Sequence, residues 1–154
     1  MGAWLEHVRL GYNYRLDEMS AALGLSQLRR LESFLEKRER VAQMYTERLQ
    51  GSALVRPPRV QPHVRMSWFV YVVTLAEGLQ RDTVITRLAE AGIPARGYFA
   101  PIHTQPYIRE RMGDLRGSLP LTESIAERTI ALPFYNALGE LQIDTICGIL
   151  QQIL

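Results

Sequence analysis

The sequence predicts an α+β fold, a small sheet covered by helices and preceded by a long N-terminal helix. Three observations predict it. Residues 17–49 repeat apolar side chains at spacings near three and four, with charges between them. Residues 68–75, Trp-Phe-Val-Tyr-Val-Val-Thr-Leu, are β-branched and aromatic. Further amphipathic runs then alternate with short β-prone pieces.

Taken in order, the first element runs from Asp17 to about Leu49 through Met19, Leu23, Leu28, Leu31, Val41 and Tyr45. Asp17 is placed to cap it, Gly24 and Ser33 are weak points where it could bend or split, and Gly51-Ser52 stops it. Pro57, Pro58 and Pro62 make residues 55–63 an extended connector. The run from Trp68 to Leu75 reads as a strand, and its apolar character on both faces places it centrally in its sheet. Arg81 to Ala91 is a short helix ended by Gly92 and Pro94, and Ala95 to Phe99 suits a second strand. Pro101 to Gly117 reads as loop with a helical turn. Thr122 to Leu132 reads as a helix ended by Pro133, and Gly139 to Leu154 as the last helix. The organisation expected is a helical segment over residues 1–52 and a small α+β domain over 53–154, forming one structural unit.

Composition narrows the function classes. At 154 residues and 17.6 kDa the chain has the length of one domain with a real core. The net charge is +2, and basic residues are interleaved with acids, as in Glu36-Lys37-Arg38-Glu39-Arg40, so no nucleic-acid-binding patch is formed. No run approaches the apolar length of a membrane span. Met1-Gly2 begins like a myristoylation signal, but Glu6 stands where Ser or Thr is required. The single cysteine, Cys147, sits in an apolar run and reads as a buried small hydrophobe, and with no internal disulfide possible the expected compartment is the cytoplasm.

A search for catalytic groups returns little. His7, His63 and His103 lack metal-type spacing, and no glycine-rich phosphate loop is present. Of the 18 basic residues only Lys37 is a lysine, on the charged face of a helix. A Schiff base with pyridoxal phosphate needs a desolvated lysine amine, so no catalytic residue is assigned. Two segments stand out. Gly11-Tyr12-Asn13-Tyr14-Arg15 brings an amide donor and a guanidinium close to a helix N-terminus, where anions are favoured, although a plain aromatic-rich helix cap accounts for it as well. Residues 100–107, Ala-Pro-Ile-His-Thr-Gln-Pro-Tyr, set His103 in a proline-braced loop of the kind that carries binding groups, or simply a satisfied loop histidine.

These segments carry a resemblance. Leu10 to Leu28, the continuing helix through Arg38 and Tyr45, Ser67 to Tyr71, Ala91-Gly92-Ile93-Pro94, Pro101 to Pro106 and Leu132-Pro133 follow the order of the DegT/StrS aminotransferases. The similarity runs over essentially the whole chain and resembles the C-terminal part of these fold-type-I enzymes. It implies transfer of an amino group, usually from glutamate, to a nucleotide-linked keto sugar, with pyridoxal phosphate as cofactor and a homodimer as the working form. It also implies that Asn13 reaches the cofactor phosphate of the partner subunit and that Arg15 lies near the substrate. Tyr98, His103 and Tyr107 would border the sugar nucleotide. The family's N-terminal domain, with its Schiff-base lysine, is expected to be missing. A non-catalytic dimerisation or interaction module built on the same fold is the alternative.

Overall fold

The computed structural model describes residues 11–154, so the Met1–Glu6 start and His7 lie outside the described residues. The chain divides into two compact units, one up to Ser33 and one from Phe34 to Leu154.

In the first unit, residues 11–17 are irregular and helix α1 spans Glu18–Leu28. Asp17 caps it as expected: its side chain accepts from the Ser20 N–H at 2.9 Å, and that bond holds the carboxyl below its ordinary pKa. No side chain of α1 is buried. The single long helix is corrected to two, because α1 ends at Leu28 and α2 spans Leu31–Leu49. The break falls at Arg29-Arg30 rather than at Gly24 or Ser33. The Arg30 N–H reaches back only three residues, to the Gln27 carbonyl at 3.0 Å. Arginine is a good helix former, so nothing local marked this turn.

The second unit is built on a four-stranded antiparallel sheet of order β1-β2-β4-β3, with β1 at Val55–Arg56, β2 at Tyr71–Leu75, β3 at Arg96–Gly97 and β4 at Thr129–Leu132. The registers Val55 to Leu75, Tyr71 to Leu132 and Val73 to Ile130 put these apolar residues on one face, and all are buried. Val72, Thr74 and Ala131 on the other face are half-buried. Helix α2 adds Val41, Met44, Tyr45 and Leu49 to the core, α3 (Arg81–Glu90) adds Val84 and Leu88, and α6 (Glu140–Ile153) adds Ile143, Ile146, Cys147 and Leu150. Each buried aliphatic or aromatic side chain is worth about 1.5–3 kcal/mol. Tyr45 and Tyr71 stack with centroids 4.9 Å apart; Tyr45 donates to the Pro133 carbonyl at 2.8 Å, and the Tyr71 and Thr46 hydroxyls lie 2.8 Å apart. Burial pushes the Tyr71 hydroxyl up to about 12.

Two expectations about the sheet meet different outcomes. The Trp68–Leu75 run is central, as expected, but regular pairing starts only at Tyr71. Trp68 has φ +49, a left-handed conformation costly for a bulky residue. Helix α2 over-determines it: Trp68 Nε1 donates to Glu39 at 2.6 Å, and its carbonyl accepts from Arg38 at 2.7 Å. The helix expected over Thr122–Leu132 is corrected. Helix α5 spans Pro120–Ala126, and Thr129–Leu132 is the strand β4, paired on both sides. The second strand expected at Ala95–Phe99 is present as β3, reduced to Arg96–Gly97.

Candidate functional site

The residues picked out in the sequence fall into the two units. Asn13 and Arg15 lie in the first, on exposed irregular chain leading to α1. They do not form the helix cap. The N-terminus of α1 is capped by the Asp17 carboxylate, which accepts from the Ser20 N–H and places a negative charge at the positive end of the dipole. Tyr12 and Tyr14 flank Asn13 with ring centroids 5.7 Å apart.

Tyr98, His103 and Tyr107 lie in the second unit, on the segment between β3 and β4. The chain leaves β3 through Tyr98 and Phe99, whose rings are 4.6 Å apart. Phe99 has φ +23 and is 72% exposed, so the backbone presents its ring outward. A 3₁₀ turn follows at Ile102–Thr104, opened by Pro101 and closed by the Thr104 hydroxyl on the Pro101 carbonyl at 2.8 Å. Helix α4, Pro106–Met112, then starts with proline at its first position, where the missing N–H costs nothing. Tyr107 on its first turn is 57% exposed, and Tyr98 is half-buried.

His103 differs from the surface loop residue expected of it. It is 9% exposed, and its Nε2 lies 2.8 Å from the Glu123 carboxylate on α5. The same carboxylate accepts from the Gly117 N–H at 2.9 and 3.0 Å and from the Leu119 N–H at 3.4 Å. The His103 bond first, and the Gly117 bond after it, hold the Glu123 carboxyl below its ordinary pKa. Beside this pair, Arg81 donates to the Ala126 carbonyl at 2.7 Å and packs on Gly97, where a Cβ would come within 3.2 Å of the guanidinium. Arg81, Ala100, Pro101, Thr104, Arg116 and Glu123 share a cleft. Glu123 and Arg81 were not singled out from the sequence. Glu123 is 20 residues from His103 in a helix that reads as ordinary surface, and no local pattern links the two.

Among the described residues no group of three or more His, Cys, Asp or Glu could hold a metal, and no helix is long and apolar enough to cross a membrane.

Residues 2–151 match the DegT/DnrJ/EryC1/StrS aminotransferase family. The chain belongs to that family. Among solved structures, a DegT/DnrJ/EryC1/StrS aminotransferase from Brucella abortus is 31% identical with TM-score 0.81, matching 99% of this chain and 39% of its own. S. venezuelae DesV, solved in complex with a ketimine intermediate, is 27% identical with TM-score 0.84 and matches 99% of this chain and 40% of its own. An uncharacterized protein of Methanocaldococcus jannaschii is 26% identical over 156 residues, 99% of this chain and 40% of the relative. The chain thus spans about two fifths of the length of these relatives.

The family implies pyridoxal phosphate, carried as a Schiff base on a lysine amine. The residues present do not fit that attachment. Lys37, the single lysine, is exposed on α2 among Glu36, Arg38 and Arg40, without the desolvation that makes an amine nucleophilic.

Proposed function

We propose that this chain is the C-terminal portion of a pyridoxal-phosphate-dependent aminotransferase that moves an amino group, from glutamate, to a nucleotide-linked keto sugar. It supplies substrate-binding and subunit-interface residues, while the lysine lies on a segment outside this sequence. The observation that carries the reading is the family match over residues 2–151, joined to the absence of a second lysine. Asn13 serves the cofactor phosphate of the partner subunit, where an uncharged amide can donate to an anion. Arg15 serves the substrate. Tyr98, His103 and Tyr107 border the sugar nucleotide, which suits a segment with exposed Phe99 and Tyr107 rings and a histidine held against Glu123. The working form is a homodimer in the cytoplasm.

The test is a pair of substitutions in an aminotransferase completed with this chain. Asn13→Ala should weaken cofactor retention by about 1.5–3 kcal/mol, the worth of one hydrogen bond to a charged group. His103→Ala should raise the sugar-nucleotide KM with cofactor affinity unchanged. Loss of the same ligand in both variants, or of neither, contradicts the assignment. The second reading, a non-catalytic interaction module, is favoured by the exposed position of Lys37 and would show itself as a complex with no turnover.

A further inference from the structure

The Glu123–His103 pair has a consequence for the ring that the family assignment does not supply. A carboxylate only accepts, so the proton in the 2.8 Å contact sits on His103 Nε2. Glu123 cannot easily swing away, because the Gly117 and Leu119 N–H groups hold its two oxygens from the other side. With Nε2 committed, the second ring nitrogen is Nδ1, which has no partner among the described residues. It is not a sealed atom either. The buried side-chain polar atom left unpartnered among those residues is Asn136 Oδ1, so Nδ1 reaches solvent.

We propose that Glu123 is a positioning residue for His103, fixing the ring so that the Nδ1 lone pair is offered to a hydroxyl of the bound sugar. This rests on the reading that the 98–107 segment borders the sugar nucleotide. In its neutral form a ring held with Nε2–H accepts at Nδ1, and the hydroxyls of a sugar are donors that match it. Glu123 touches no substrate and acts through the histidine alone.

The first test uses the chain itself. Nitrogen-15 NMR of the histidine ring at neutral pH should show His103 as the Nε2–H tautomer with a slowly exchanging Nε2 proton, and Glu123→Gln should abolish that protection. An Nδ1–H tautomer in the unmodified chain overturns the proposal. The second test is a double-mutant cycle in an aminotransferase completed with this chain. His103→Ala should raise the sugar-nucleotide KM about tenfold, the factor that corresponds to about 1.4 kcal/mol. Glu123→Gln should raise it several-fold with kcat little changed, and should add nothing in the His103→Ala background. If the Glu123→Gln penalty persists in that background, Glu123 merely braces the loop and the positioning role falls while the functional reading stands. If His103→Ala leaves KM unchanged, both fall together.

Discussion

At the residue scale, Tyr45 joins two links of the fold in one side chain. Its ring stacks on Tyr71 inside the core, and its hydroxyl ties α2 to the Pro133 carbonyl just after β4. Tyr45→Phe keeps the stack and orphans the carbonyl, so it should cost about 1–3 kcal/mol in urea unfolding. Cys147 was legible as a buried hydrophobe from its apolar run, and burial pushes its thiol up to about 11. It should react with a thiol reagent only at the rate of unfolding; fast stoichiometric labelling of native chain contradicts this. Glu123 brings a pH dependence. Its folded carboxyl pKa lies below the unfolded value, so its contribution is present above the ordinary carboxylate range and fades as pH falls through the lowered folded value. The stability difference between the unmodified chain and Glu123→Gln should therefore shrink on acidification, as read from urea midpoints at a series of pH values.

At the element scale, strand β4 sits between β2 and β3 and carries Ile130 and Leu132 into the core. Its amides at Ile130 and Ala131 should be among the slowest to exchange, and Ile130→Ala should cost about 2–5 kcal/mol. Fast exchange there would contradict the paired strand. That misreading has a physical cause. Thr129-Ile-Ala-Leu132 is four residues long, directly follows a helix and has no glycine or proline before it, so local pattern continues the helix. Pairing with two partners overrides local preference, and those partners, Tyr71 to Thr74 and Arg96-Gly97, lie far away in sequence. Elements bounded by strong local signals were legible: Asp17 at the start of α1, Gly92 with φ +76 after α3, and Gly139 before α6. The Arg29-Arg30 turn and the His103–Glu123 bond were not, because neither leaves a mark within a few residues.

At the scale of the whole molecule, α1 presents Met19, Leu23 and Leu28 at 84%, 62% and 64% exposure with no buried side chain. Apolar surface of this kind drives association. At tens of micromolar, light scattering should find dimers or larger species, and Leu23→Glu should shift them toward monomer. A clean monomer of the unmodified chain contradicts the expectation. On the proposed function, a family member whose single lysine is exposed contributes binding groups to a cofactor site whose lysine lies elsewhere. The most direct measurement mixes the chain with a lysine-bearing segment of a family aminotransferase, adds pyridoxal phosphate, reduces with borohydride and maps the adduct by mass spectrometry beside a turnover assay. Turnover is expected only in the mixture, with the stoichiometric adduct on the added segment and at most slow partial labelling of Lys37. A stoichiometric adduct on Lys37 together with turnover by the chain alone would contradict it.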